Sequence, residues 1–296
     1  MRLAGVALAA GAGTRLRPLT LLRPKALCPV GGVPLLDLAL DRLAAVAGTG
    51  PGALAVNAHH HAHQVVEHVA GRAHVSVETP QALGTAGALG ALRGWLDGRD
   101  VLVTNADAYL AAGLGSFTDG WDGERCRLLC VPVAGTGLRA DFPGPAGSGG
   151  LRYVGACLLP WRLVAPLAAQ PSGLYEVLWR TAAEAGRLDL VTTAQAGADG
   201  TVLDCGTPAQ YLDANLDAVA RAGGSVVHPS AVVTGTVTSS VVGAGARVDG
   251  DVERCVVWDG ARVHVGERLV DVVRTGDGPG AEMTVPCGGS TLGAVR

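Results

Sequence analysis

Up to about residue 222, short apolar runs alternate with segments of helical period. This alternation constrains the fold more than any other feature of the chain. Strand-length runs lie at 3–10, 53–57, 73–78 and 100–104, and helical patterns at 34–47, 60–70 and 85–97. Pro34 suits the first turn of a helix, and Leu35, Leu36, Ala39, Leu40 and Leu43 then form its apolar face. Strands separated by helices pair in parallel through right-handed crossovers, so the expected architecture is α/β, a doubly wound, mostly parallel sheet. Further strands are predicted at 127–133 and 152–159, with helices at 161–169, 174–186 and 208–222. The Gly- and Pro-rich stretch 134–150 reads as a loop. Ligands of such sheets bind beyond the carboxyl ends of the strands, which is where Gly11–Arg15 and Asp107 fall.

Composition excludes several classes. Of 296 residues, 48% are hydrophobic but only 4% aromatic, so the core is expected to use small aliphatic side chains. A net charge of −3 carries no basic footprint for nucleic acid. No apolar run reaches the roughly 18 residues of a membrane span, and the chain opens on a strand, so neither a membrane segment nor a signal peptide is expected and the reading is cytoplasmic. Cysteines 28, 126, 130, 157, 205, 255 and 287 are odd in number and form no Cys-x-x-Cys pair, which suits reduced, mostly buried thiols.

The run 8–30 carries the chemistry. The apolar stretch Val6 to Ala10 feeds the small loop Gly11, Ala12, Gly13, Thr14, followed by Arg15, Arg17 and Lys25. Glycines let backbone N–H groups approach an anion, and Arg and Lys neutralise phosphate charge, so the segment outlines a triphosphate site. It is not a dinucleotide fingerprint, because Leu16 stands where a third glycine is needed. It is not a P-loop, because Lys25 lies well beyond the last loop glycine.

What remains, Gly-x-Gly-Thr-Arg-Leu-x-Pro-Leu-Thr followed by Pro-Lys and Pro-Val, resembles the signature of the sugar-1-phosphate nucleotidyltransferases. The resemblance implies a Rossmann-like catalytic domain over residues 1–222 that joins an NTP to a sugar 1-phosphate and releases pyrophosphate. It implies nucleotide contacts from Leu8, Ala9, Ala10, Gly11, Gly13 and Thr14. Arg15 would stabilise the leaving pyrophosphate and Lys25 the α-phosphate.

Asp107 closes Asn105-Ala-Asp107 at a strand end, where a carboxylate can hold Mg²⁺. The family's strand ends in a similar motif with a metal-binding Asp, so Asp107 counts among the catalytic residues. Asp204, in Asp-Cys-Gly-Thr-Pro, resembles the family's second metal carboxylate, and it also suits a cap for the helix that starts near Pro208. The implied cofactor is Mg²⁺ on Asp107 and Asp204.

Leu83-Gly-Thr-Ala-Gly-Ala-Leu89 opens a helix after a strand, and its small residues, Gly84 and Thr85 among them, would let backbone groups read a base edge. Glu78 precedes it, and a carboxylate can accept from both guanine N1–H and N2–H. The Gly-Thr-Ala-Gly form resembles bacterial mannose-1-phosphate guanylyltransferases, which points to GTP with mannose 1-phosphate. Uridylyltransferases carry a similar segment, so uridylyl or thymidylyl transfer stays open. Tyr153-Val-Gly155, Glu176 and Asp141 lie where the family places sugar contacts, although Glu176 equally suits a solvated helix face. The family's Glu-Lys-Pro segment is not recognisable, and Arg139-Ala-Asp141-Phe142 occupies roughly its place. Some relatives bind an NDP-sugar without turnover, but Arg15, Lys25, Asp107 and Asp204 are all present here. His59-His60-His61-Ala-His63 reads as a polar helix start rather than a zinc site, because consecutive helical side chains diverge.

From Ser225 the pattern changes. Val242 and Val248, and again Val257 and Val263, are six apart with small residues between, the spacing of a left-handed parallel β-helix. Residues 223–296 are therefore expected to form a short β-helix domain and tail, with 274–296 Gly-rich and loosely ordered. In relatives such tails self-associate, which implies a homo-oligomer.

Overall fold

The computed structural model describes residues 3–111, 113–195, 202–276 and 282–288. It divides into two compact units. Of the described residues, the first holds those up to Ala12 and those within Leu36–Val202, and the second Gly13–Leu35 and those from Leu203 onward.

The first unit is built on a seven-stranded sheet. Its strands are β1 (Leu3–Leu8), β2 (Leu54–Ala58), β3 (His74–Val77), β4 (Asp100–Asn105), β5 (Cys126–Pro132), β6 (Leu151–Leu159) and β7 (Leu188–Thr192). They lie in the order β7-β5-β6-β4-β1-β2-β3. The β1–β2, β1–β4, β2–β3 and β5–β7 pairs are parallel. Strand β6 runs antiparallel to both neighbours. No helix separates β5 from β6, only the loop predicted at 134–150, so the chain turns straight back instead of crossing over. The expected sheet therefore holds as a large, mostly parallel one with an antiparallel strand inside it. Strand β7 was not predicted.

Helix α1 (Leu35–Ala47) buries the apolar face read from its period. It packs closely on β1: a Cβ at Gly5 would stand 2.9 Å from Leu54 Cδ2 and 3.1 Å from Leu43 Cβ. Other helices are shorter than their patterns. Helix α2 (Ala62–Val69) starts late because His61 takes a left-handed conformation, φ 48°. The pattern 85–97 splits at Leu92 into α3 (Gly84–Ala91) and α4 (Arg93–Leu96). The helix predicted at 161–169 is only α5 (Trp161–Val164), since Pro166 has no N–H to continue it. The pattern 174–186 becomes a π-turn at Tyr175–Trp179 and α6 (Arg180–Glu184).

In the second unit, Gly31 and Gly32, both at positive φ, turn a tight hairpin between Pro29–Val30 and Val33–Pro34. Helix α7 (Pro208–Ala222) is capped by Thr207, whose hydroxyl accepts from Gln210 N, and closed by Gly223 at φ 74°. Asp204 is thus not the cap. Beyond it, short strands stack in three parallel sets. Val226 pairs Val241 and Val241 pairs Val256, while the sets begun by Val232–Val233 and Thr236–Thr238 stack likewise. The valines spaced by six, such as Val242 and Val248, are buried members of two different stacks. Of the tail read as loose, Met283–Pro286 pairs antiparallel with Val272–Thr275, while 277–281 and 289–296 lie outside the described residues. All seven cysteines are buried and none forms a disulfide.

Candidate active site

Four adjacent strands of the first unit, β4, β1, β2 and β3, bring their carboxyl ends to one cleft of about 380 Å³. Strand order reverses at β1, the position where open α/β sheets bind ligands. Asn105 and Asp107 line the cleft beyond β4. Leu8, Ala10, Gly11 and Ala12 line it beyond β1, Asn57 and His59 beyond β2, and Ala82, Gly84 and Thr85 beyond β3. The main chain past β4 is fixed by Ala106 N donating to Leu8 O at 2.9 Å. Gly155, at φ 89°, leaves room for Asn105, whose Cβ would stand 3.1 Å from a Cβ placed there.

A chain of hydrogen bonds ties these ends together. Ala9 N donates to Asn57 Oδ1 at 2.7 Å, Asn57 Nδ2 to Glu78 Oε1 at 2.7 Å, and Leu83 N to Glu78 Oε2 at 2.7 Å. Glu78 is 2% exposed and does not line the cleft. Each of its oxygens holds an internal donor, so the structure places it as a brace beneath the wall rather than at a base edge. His59 Nδ1 lies 2.9 Å from the Glu78 carbonyl.

The glycines of α3 have a packing explanation. Added Cβ atoms at Gly84, Gly87 and Gly90 would lie 2.6 Å from Ser172 O, 2.2 Å from Gln170 O and 2.4 Å from Ala168 O. The backbone of 168–172 lies directly on this stripe, and Ala86 N donates to Ser172 O. Thr85 Oγ1 accepts from Leu174 N at 2.8 Å. The residues expected to contact sugar are partly engaged elsewhere. Asp141 is exposed and accepts from Tyr153 N at 3.0 Å, and the exposed Glu176 folds back over Gly173.

In the second unit, Gly13, at φ 58°, starts a short 3-10 turn over Thr14–Leu16, and its carbonyl accepts from Thr20 Oγ1 at 2.9 Å. Arg15 Nη2 and Lys25 Nζ both approach Asp204, at 3.4 and 3.3 Å to its two oxygens. The pair is unequal: the Arg15 side chain is 68% exposed and that of Lys25 only 5%. The intervening segment is clamped. Arg23 lies 4.2 Å over the Trp258 ring, Trp258 Nε1 donates to Tyr211 Oη at 3.1 Å, and Tyr211 Oη donates to Pro29 O. Cys28 beside it is fully buried, and burial, outweighing Arg23 and Lys25, pushes its thiol up to about 12.

For a metal, the donor chemistry is suitable. Asp107 in the first unit and Asp204 in the second each carry the hard carboxylate oxygens that Mg²⁺ prefers. Among the described residues no group of three or more His, Cys, Asp and Glu forms a closed metal nest. Asn57 and Ala82 belong to no motif read from the sequence, and Asn105 and His59 figured there only within Asn105-Ala-Asp107 and the histidine run. The Asn-x-His spacing at the end of a strand was the available signal.

Residues 4–125 match the model of the nucleotidyl transferase family. A stretch of 141 residues is 40% identical to N-acetylmuramate alpha-1-phosphate uridylyltransferase of Caulobacter vibrioides, covering 44% of this chain and 57% of that enzyme. The fold is similar to a candidate glucose-1-phosphate thymidylyltransferase from Bacillus anthracis, with TM-score 0.60 and 18% identity over 73% of this chain and 95% of that one. It is also similar to a mannose-1-phosphate geranyltransferase from Thermus thermophilus, with TM-score 0.59 and 19% identity over 97% and 96%.

Proposed function

We propose that this protein transfers a nucleotidyl group from an NTP to a sugar 1-phosphate, forming an NDP-sugar and pyrophosphate. The observation that carries the reading is the cleft where the glycine loop leaving β1 and Asp107 beyond β4 face the same space. The attacking phosphate oxygen is already anionic, so no general base is needed. Its bond to the α-phosphorus forms as the bond to pyrophosphate breaks. Catalysis then consists of positioning and charge neutralisation. In this reading Gly11 and its neighbours hold the nucleotide, Lys25 neutralises the α-phosphate and Arg15 the departing pyrophosphate. Asp107 and Asp204 would hold Mg²⁺, which supplies further neutralisation of phosphate charge. Asp141, Gly155 and Glu176 are assigned to the sugar.

UTP is the favoured nucleotide, on the 40% identity to a uridylyltransferase. The case for GTP with mannose 1-phosphate rests on Glu78 and the α3 glycines, and both are engaged in packing. Residues 1–222 are proposed as the catalytic part and 223–296 as a left-handed β-helix through which the chain self-associates, in the cytoplasm. The test is pyrophosphate release from ATP, CTP, GTP, TTP and UTP against a panel of sugar 1-phosphates with Mg²⁺. Release with UTP and one sugar supports the reading. Silence with every pair, together with calorimetric binding of an NDP-sugar, would replace it with binding without turnover.

A further inference from the structure

We propose that His59 reads the nucleobase by accepting the ring N–H carried by uracil or thymine N3 or by guanine N1, so that these bases are taken and cytosine or adenine refused. The inference rests on the nucleotidyl-transfer reading above and names a residue which that reading leaves without a role.

The cleft crosses four strand ends in spatial order. The glycine loop and Asp107 occupy the β4 and β1 side, where backbone amides and a carboxylate suit phosphates. His59, Ala82 and Gly84 occupy the β2 and β3 side, which leaves that side for the base. There Ala82 and Gly84 have no polar side chain, the Thr85 hydroxyl accepts from Leu174 N, and the Asn57 amide is committed at both ends, to Ala9 N and Glu78 Oε1. His59 is different. Its Nδ1 lies 2.9 Å from the Glu78 main-chain carbonyl. A carbonyl only accepts, so Nδ1 carries a proton, and the neutral form of the ring then has its lone pair on Nε2. The partner that fixes this tautomer is itself fixed, since Glu78 N donates to Ala58 O at 2.8 Å.

An imidazole lone pair distinguishes bases on one feature. Uracil and thymine carry a proton on N3 and guanine on N1. Cytosine N3 and adenine N1 carry a lone pair at the corresponding place, so the wrong base sets acceptor against acceptor. A site that hydrogen-bonds its substrate rejects an analogue that cannot reply, because its own polar group is left unpaired.

Two variants separate reading from scaffolding. In His59→Asn the side-chain amide nitrogen stands where Nδ1 stood, so the Glu78 contact is kept and the outer acceptor is lost. In His59→Gln the amide oxygen reaches the Nε2 position and the acceptor is kept. The measurement is kcat/KM for UTP and CTP, and for GTP and ATP, by pyrophosphate release with the full chain, with thermal midpoints confirming folding. The wild type is expected to prefer UTP to CTP. His59→Asn should cut that preference about tenfold, and His59→Gln should hold it within about threefold. An unchanged preference in His59→Asn overturns the assignment, as does an equal loss in both variants. If the wild type releases no pyrophosphate from any nucleotide, the transferase reading fails instead. Calorimetric binding of UTP and CTP to the same three proteins then tests His59, and equal binding of both by the wild type rejects it.

Discussion

Asn57 and Glu78, 21 residues apart, meet at 2.7 Å beneath the cleft, and their side chains together join the ends of three strands and the start of α3. Asn57 donates with its nitrogen and accepts with its oxygen, and only this orientation satisfies both Ala9 N and the carboxylate. Glu78→Gln breaks the logic. One amide face must then oppose either Leu83 N or Asn57 Nδ2, donor against donor. The variant is expected to lose about 1–3 kcal/mol of stability in denaturant unfolding. Because the brace ends at the cleft wall, KM for the nucleotide should rise as well.

The stripe of glycines on α3 is a packing device. Gly87→Ala drives a Cβ to 2.2 Å from Gln170 O, a backbone atom that cannot rotate away. The expected loss is about 1–3 kcal/mol or more. Gly94→Ala is the control: nothing stands within 4 Å of its Cβ, so helix propensity should leave stability equal or slightly raised. Thermal midpoints of the two variants check the contrast.

Arg15 and Lys25 share one carboxylate but differ in burial, and their variants should separate. Arg15→Ala removes an exposed side chain, and its unfolding midpoint should stay within about 0.5 kcal/mol of wild type. Under the proposed reaction its kcat should fall about a hundredfold or more. Lys25→Ala should lower both activity and stability. Near-normal turnover in Arg15→Ala would remove that residue from the mechanism.

Asp37 gives acid sensitivity a local source. Partial burial alone would raise its carboxyl, but His68, at 2.9 Å, and Arg72, also at 2.9 Å, outweigh it and hold the group below its ordinary value. A carboxyl depressed in the folded state contributes stability that is present above its unfolded value and lost as pH falls through the folded one. Asp37→Asn should therefore be less stable than wild type at pH 7, by about 1 kcal/mol or less for so accessible a cluster. The difference should shrink at acid pH, once pH has fallen through the folded value. Urea unfolding at neutral and at acid pH measures it.

The thiols should be silent in the native protein. Burial pushes Cys28 and Cys130 up to about 12 and Cys126 to about 11, so the thiolate is scarce and enclosed. A thiol-reactive dye is expected to label slowly in buffer and to reach all seven cysteines in denaturant.

Much of the first unit was legible because periodicity is local. The runs at 3–10, 53–57, 73–78 and 100–104 became β1 to β4, and the buried face of α1 followed its spacing. Helix ends were legible only in part. The expected helix 161–169 ran through Pro166, which ends α5 at Val164, and the left-handed turn at His61 carries no local signal. Arg42 lay beyond reach: it sits within the α1 pattern, yet it is 8% exposed and donates to Leu110 O at 3.1 Å.

The sequence by itself determined the alternation of strands and helices, the glycine loop with its basic residues, and the placement of Gly11 and Asp107 at strand ends. Those are properties of neighbouring residues, and short-range period and turn chemistry specify them. Tertiary structure alone decided that β6 runs antiparallel, that Glu78 braces Asn57 and Leu83 instead of facing the cleft, and that the α3 glycines admit the backbone of 168–172. It also decided that the Glu78 carbonyl sets the tautomer of His59. Each depends on groups far apart in the chain meeting within hydrogen-bond or van der Waals distance. No local pattern encodes such a meeting until the sheet order is known.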